Sequence, residues 1–233
     1  MHRIYRCIFK QFPRQRAAFQ KINRHLTKTQ KPHNQKRIRE INIAQRDFFS
    51  NIIDVFEPPL PNGVPARLKQ IVSSAGIKKG DTVLDVGSGT GILVPVIKEY
   101  NPEKIYACDL SEAMLEKLKS NYPYACTIVA DVRGLDLSDS LLDVVIINAC
   151  YPNIVDKESA FANISRMLKK NGSIIISHPM GKKFIDLLRK DSPFPLDDFP
   201  DKTEAENMLS NYGFNITEFI DEPKLYILTA LKT

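Results

Sequence analysis

The hydrophobic positions change period several times along the chain, and each change predicts an element. Over residues 41–57, INIAQRDFFSNIIDVFE, the apolar residues Ile41, Ala44, Phe48, Ile52, Val55 and Phe56 recur at helical spacing and predict one amphipathic helix. The segment PPLPNGVP then breaks the pattern, with prolines at 58, 59, 61 and 65 making a stiff extended connector. Residues 66–75 resume a helix that stops at Gly76. Beyond that point β-rich runs alternate with helical ones. Strands are predicted at 82–86, 104–109, 126–130, 142–148 and 173–178, and helices at 91–100, 112–121, 157–170, 181–190 and near 203–212. Asn171-Gly172 after MLKK reads as a helix stop, with basic residues in the last turn. The runs LLDVVIINA and SIIIS are almost unbroken β-branched stretches, as expected of strands buried on both faces of a parallel sheet. Residues 192–201, rich in Pro and Asp, predict a loop. Residues 214–232 read as two strands joined by a tight EPK turn, an antiparallel pair.

This alternation predicts an α/β fold: a doubly wound, mostly parallel seven-stranded sheet with right-handed crossovers and a C-terminal antiparallel strand pair. Three segments follow: 1–40 as an N-terminal extension, 41–65 as a helix and connector, and 66–233 as the α/β domain. Ligands of such sheets lie beyond the carboxyl ends of the strands, at the switch point.

Composition narrows the class only modestly. With 233 residues, 43% hydrophobic and 26% charged, the chain has ordinary globular composition and enough length to bury a substantial core. No stretch approaches the roughly 18 uncharged apolar residues of a membrane span, so no transmembrane helix is expected. Cys7, Cys108, Cys126 and Cys150 are widely spaced, with no CxxC pair, which favours reduced thiols in an intracellular protein and argues against zinc. The net charge of +6 conceals a segregation: residues 1–39 hold twelve of the 33 Lys and Arg and no acid. The remainder therefore carries 21 basic against 27 acidic residues, a net of −6. A body of that charge is not one expected to wrap nucleic acid. The basic arm has three readings: an organellar transit peptide, an RNA- or membrane-touching tail, or sequence upstream of the true start. The first places the protein in a mitochondrion or chloroplast, the last in the cytoplasm.

The candidate chemistry lies in TVLDVGSGTGILVPVI, residues 82–97, where a strand ends at Asp85-Val86 and passes through Gly87, Gly89 and Gly91 into a helix-compatible run. Glycine here lets backbone approach a ligand without an intervening Cβ. The dinucleotide fingerprint needs a third small residue three places after the second glycine, and Ile92 stands there, so a nicotinamide dinucleotide is disfavoured. No Gly-Lys-Ser/Thr follows, which removes the P-loop. A second acid, Asp109, ends the second strand 24 residues beyond Asp85. A carboxylate at that place suits a ribose diol, because it can accept two hydrogen bonds. A third acid, Asp131, ends the third strand.

VLDVGSGTG resembles motif I of the class I S-adenosylmethionine-dependent methyltransferases, in particular the small-molecule or type 11 branch, and the resemblance runs from about Ala66 to the C-terminus. It implies a Rossmann-like methyltransferase fold, S-adenosylmethionine as cofactor, and direct methyl transfer to an acceptor. It also implies that Asp85, Gly87, Ser88, Gly89, Thr90 and Gly91 line the methionine and ribose part of the cofactor. YACDLSEAML is similar to the second-strand motif, which puts Asp109 on the ribose hydroxyls with Leu110 and Met114 against adenine. VADVRGL is similar to the next, with Asp131 on the adenine amino group and the Val132 N–H on a ring nitrogen. VVIINACY is similar to the fourth-strand motif and brings Asn148 to the methionine end. Phe48 and Phe49 resemble the aromatic lid pair of the small-molecule branch.

A sulfonium donor is already activated, so a general base is needed only for a protonated nucleophile. Tyr151 and Asn153, after strand four, and His178, after strand five, stand where an acceptor would lie. Tyr151 and His178 are the candidate catalytic residues, and Tyr151 and Asn153 the candidate substrate contacts. The Pro-Pro motif of enzymes that methylate base or glutamine nitrogens is absent from NACY, and no Pro-Cys pair follows strand four, so DNA is not an expected partner. No acid cluster suggests a metal. Three functions remain open: a small-molecule methyltransferase, an RNA methyltransferase that uses residues 1–39 as its handle, and a non-catalytic cofactor-binding assembly factor.

Overall fold

The structure, a computed structural model, describes residues 35–233. The three readings of the basic arm fall on residues 1–39 and so lie almost entirely outside the described residues. Strands β1 (Thr82–Val86), β2 (Lys104–Asp109), β3 (Cys126–Val129), β4 (Leu142–Asn148) and β5 (Leu168–His178) are parallel. Strands β6 (Phe214–Glu222) and β7 (Leu225–Lys232) form the antiparallel pair, and β7 lies against β5. The sheet order is β3-β2-β1-β4-β5-β7-β6. The order reverses between β1 and β4, which opens a crevice at their carboxyl ends.

Helices α1 (Gln35–Ser50), α2 (Val64–Ser74), α3 (Val94–Lys98), α4 (Glu112–Asn121), α5 (Lys157–Met167), α6 (Lys183–Arg189) and α7 (Lys202–Ser210) surround the sheet. Alternate residues of the central strands serve opposite faces. Leu84, Val145, Ile147, Ile174 and Ile176 pack with Phe161 and Ile164 of α5 and Leu209 of α7. Val83, Val144, Ile146 and Ile175 pack with Leu68 and Ile71 of α2, Val94 and Ile97 of α3, and Leu115 and Leu118 of α4. Local chemistry sets the helix starts. Ser111 caps α4 by accepting the Met114 N–H, Asp156 caps α5 through Ser159, and Asp201 with Glu204 forms a capping box on α7.

Several boundaries differ from the sequence reading. The helix expected at 41–57 stops at Ser50 and is followed by a separate 3-10 turn, Ile53–Phe56. The Ser50 hydroxyl donates to the Arg46 carbonyl and the Asn51 amide to the Asp47 carbonyl, so side chains take over the carbonyls at the helix end. At its other end α1 already includes residues 35–39. The helix expected at 157–170 ends at Met167, because Leu168 is extended, fully buried and paired with Leu142 in β4. Asn171 then turns with φ +63°, inside β5 and not at a helix end. The helix expected at 91–100 shrinks to Val94–Lys98, because turns headed by Ser88 and Gly91 occupy its beginning. Among the described residues no helix is long and apolar enough to cross a membrane.

Candidate functional site

The turn after β1 is held by the neighbouring strand. The N–H groups of Gly87 and Ser88 both donate to the Cys108 carbonyl, at 2.8 and 3.1 Å. All three glycines have positive φ, and the space around them differs. A Cβ on Gly87 would lie 2.3 Å from the Cys150 sulfur, and one on Gly91 would lie 2.7 Å from Leu118 of α4. A Cβ on Gly89 would meet nothing within 4 Å. Gly87 and Gly91 therefore allow close packing, while Gly89 presents bare backbone to open space.

That space is a cavity of about 360 Å³ along the carboxyl edge of the sheet. Of the residues singled out in the sequence, Asp85, Gly87, Ser88, Gly89, Thr90, Asp109, Leu110, Met114, Asp131, Val132, Asn148, Asn153, His178, Phe48 and Phe49 line it. Two do not. Gly91 faces α4, as above. Tyr151 is buried in the core behind the cavity, its ring stacked on Phe199 at 5.4 Å and its hydroxyl donating to the Met208 thioether at 3.5 Å. The structure does not bring Tyr151 to the cavity, so it is not placed to act as a base or a substrate contact. Its position after strand four suggested otherwise, but in the 3-10 turn Tyr151–Asn153 its ring is buried, and Pro152 and Asn153 line the cavity.

Asp85 and Asp109 make the acidic end of the cavity. The Asp109 carboxylate accepts the Gly89 N–H on Oδ2 and the Ser111 N–H on Oδ1, both at 2.9 Å, which fixes its plane. Burial raises its pKa, against the opposing effect of those hydrogen bonds. Asp85, only 2% exposed, is pushed up to about 7 by burial and then by the Asp109 charge. Asp131 is already engaged. Its Oδ2 accepts from Asn42 Nδ2 at 2.6 Å and from Arg133 Nε and Nη2 at 2.9 and 2.6 Å, while among the described residues Oδ1 accepts only the Arg133 N–H. Cys108 is pushed up to about 12 by burial, and the Cys150 thiol is raised further by the same cause, so neither sulfur is a thiolate nucleophile.

At the opposite end, His178 closes β5. Its Nδ1 accepts the Met180 N–H at 3.1 Å, and burial pushes its pKa down to about 4. Phe184 of α6 and Phe199 flank the ring at 5.5 and 5.8 Å. The roof is α1 and the turn after it. Phe48 and Phe49 meet edge-on at 5.4 Å, and both reach Phe194, at 5.4 and 5.9 Å. Three polar ties fasten α1 across the strand ends: Asn42 to Asp131, Gln45 Nε2 to the Asn153 carbonyl at 2.9 Å, and the Ser50 hydroxyl to the Ser111 hydroxyl at 2.8 Å.

Sequence reasoning missed Asn42, Gln45, Phe184, Leu188, Phe194 and Leu196, all of which line the cavity. Only Gln45 carried a signal. It falls four residues after Ile41 and three before Phe48, on the apolar stripe itself, where a polar residue needs a partner.

Comparison with known proteins agrees with this geometry. A family described as a methyltransferase domain matches residues 84–176. An uncharacterised methyltransferase of Schizosaccharomyces pombe is 29% identical over 176 residues, which cover 72% of this chain and 68% of that protein. The ubiquinone/menaquinone biosynthesis C-methyltransferase UbiE of Francisella tularensis subsp. novicida is 31% identical over 133 residues, and the match spans about half of each chain, 52%. Among solved structures, magnesium protoporphyrin IX methyltransferase of Synechocystis, with bound S-adenosylhomocysteine, superposes with a TM-score of 0.64 at 17% identity, covering 83% of this chain and all of that one. Residues 84–176 thus match a methyltransferase domain, and the similarities together support a class I S-adenosylmethionine-dependent methyltransferase.

Proposed function

We propose that this enzyme methylates a small molecule held between the strand ends and the aromatic roof. The observation that carries the reading is the roof itself: α1 spans the ends of β2, β3 and β4 and is tied to each. The cavity beneath it falls within the 300–1,000 Å³ typical of small-ligand sites. Such a cover leaves little room for a nucleic-acid strand or a protein loop at the reacting end. Two proteins similar in sequence or fold are named for small-molecule work, one in ubiquinone/menaquinone biosynthesis and one on magnesium protoporphyrin IX.

The residues suit the cofactor on three counts. Gly89 has open space where a side chain would stand. The Ser88 hydroxyl is buried without a partner among the described residues, as expected of a group that waits for a ligand. Asp109, with one N–H on each oxygen, keeps one acceptor position on each for the two hydroxyls of a ribose. In this reading Leu110 and Met114 lie against adenine, Asp131 takes the amino group on its less occupied Oδ1, and the Val132 N–H meets a ring nitrogen. Thr90 completes the turn around the ribose, and Asp85 and Asn148 stand at the methionine end. When bound, S-adenosylmethionine supplies an electrophilic methyl group on a positively charged sulfur.

The protein's own work is then to align and to exclude water. The paired carboxylates Asp85 and Asp109 favour a cation at their end. Phe48, Phe49 and Phe194 keep the acceptor in an apolar enclosure. Calorimetry of S-adenosylmethionine and S-adenosylhomocysteine with wild type and Asp109→Ala tests the cofactor end. Binding of both, lost in the variant, is expected. Incubation of the enzyme and methyl-labelled cofactor with cell extract tests the acceptor: label in a small-molecule product separated chromatographically from unreacted cofactor, and absent without enzyme, supports the reading, and transferred label confined to RNA or protein refutes it.

A further inference from the structure

We propose that the methyl acceptor is a largely apolar molecule carrying an uncharged oxygen, and that His178 grips this oxygen as a neutral hydrogen-bond donor through Nε2–H. The inference rests on the small-molecule reading above and goes beyond it in naming the acceptor's chemistry and the part His178 plays.

The tautomer follows from one hydrogen bond. Nδ1 accepts the Met180 N–H at 3.1 Å, so in the neutral ring the proton sits on Nε2. Nε2 has no partner among the described residues, although the ring is only 4% exposed and lines the cavity. The ring lines the cavity, so this donor is open to a ligand that supplies an acceptor, which would form one neutral hydrogen bond there. Nδ1, the one atom able to take a proton, is used by backbone and turned away from that role. Burial adds to this by holding the ring neutral across the physiological range. His178 is thus built to donate.

The walls define the rest of the acceptor. Phe184 flanks the His178 ring, and Phe49, Phe56, Leu188, Phe194 and Leu196 line the same cavity, whose acids Asp85, Asp109 and Asp131 lie at the ends of β1, β2 and β3. Arg46 and Arg133 are the cationic side chains that line the cavity, and both are paired: Arg46 with Asp47, and Arg133 with Asp131. An acceptor bearing a phosphate or a free carboxylate would find no unpaired cation among the described residues that line the cavity. A second polar residue, Asn153, also lines the cavity, and its Oδ1 has no partner among the described residues. One donor and one acceptor in an aromatic enclosure fit a ring-bearing ketone, enone or phenol better than any charged metabolite.

The test uses the full chain and two probes that differ by one atom pair, acetylnaphthalene and its hydrocarbon isostere isopropenylnaphthalene. Binding of S-adenosylhomocysteine is first confirmed by calorimetry, and each probe is then titrated into the saturated complex. The ketone is expected to bind roughly three- to tenfold more tightly, the yield of one neutral hydrogen bond. His178→Gln, which keeps an N–H donor but no basic nitrogen, retains the preference, and His178→Leu abolishes it while still binding the hydrocarbon. A change in packing alone would weaken both probes alike and leave the ratio untouched. Equal affinities in wild type, no binding of either probe to the saturated complex, or loss of the preference in His178→Gln overturns the proposal. Failure to bind S-adenosylhomocysteine removes the cofactor reading on which it rests.

Discussion

Asp85 should destabilise the ligand-free fold at the pH where the enzyme works. Its carboxyl titrates near 3.8 in an unfolded chain and at about 7 in the folded one. The folded state therefore keeps a proton that the unfolded state releases between those values. The benefit is fully present below pH 3.8 and is lost as pH rises through about 7. Three pKa units at 1.36 kcal/mol each set the ceiling at about 4 kcal/mol of stability forgone above neutrality. Asp85→Asn removes the titration while preserving shape. At 2–4 °C per kcal/mol for a chain of this size, the variant should melt roughly 10 °C above wild type at pH 8, roughly 4 °C above it at pH 5, and close to it only near pH 3.8. Thermal unfolding across that range, without ligand, measures the gap. A gap that does not widen with pH refutes the reasoning, because it would mean that the carboxyl keeps an ordinary pKa. The same charge should matter for ligands with the opposite sign of benefit. Positively charged S-adenosylmethionine should gain on neutral-sulfur S-adenosylhomocysteine as pH rises through about 7, and Asp85→Asn should flatten that trend.

Three further outcomes follow from the contacts. Gly87→Ala should cost about 3 kcal/mol or more in urea unfolding, since its Cβ would meet the Cys150 sulfur at 2.3 Å, whereas Gly89→Ala should cost about 1 kcal/mol and act mainly by weakening cofactor binding; equal costs would refute the assignment. Tyr151→Phe should change turnover less than about twofold, because its hydroxyl meets only Met208 and not the cavity; a loss of a hundredfold would return Tyr151 to the catalytic candidates. Gln45→Ala should remove the tie to the Asn153 carbonyl at a cost of about 1–2 kcal/mol and speed proteolysis in the 50–60 connector; unchanged cleavage would show that α1 is held by its aromatic residues alone.

The fold was legible because its signals are local. β1 and β4 begin and end where the β-branched runs do, since each run is buried on both faces and bounded by turn residues. Boundaries failed where a distant partner decided them. Leu168 has good helix propensity and follows a helical pattern, yet the open hydrogen-bonding edge beside Leu142 draws it into the sheet. Ser50 and Asn51 end α1 through bonds to their own preceding turn, a competition that apolar periodicity does not register.

The two ends of the cavity differ in the same way. The acidic end comes from strand termini, where the sheet's geometry forces Asp85, Gly89, Asp109 and Asp131 onto one edge whatever else the chain does, so residue type and spacing were enough to pick them out. The aromatic end gathers Phe49, Phe56, Phe184 and Phe194 from three separate segments; a resemblance singled out Phe49, and the other three show only hydrophobicity in the sequence. Their convergence depends on how α1 and the 192–201 loop lie over the sheet, and that is set by packing and by a few buried polar ties. His178 makes the point at the level of one atom. Its place after β5 was readable, but its chemistry turns on which ring nitrogen the Met180 N–H occupies, a fact of backbone turn geometry. It follows that substitutions in these three segments can change the acceptor while the strand-end acids stay fixed, because the two sets of residues share walls but almost no hydrogen bonds.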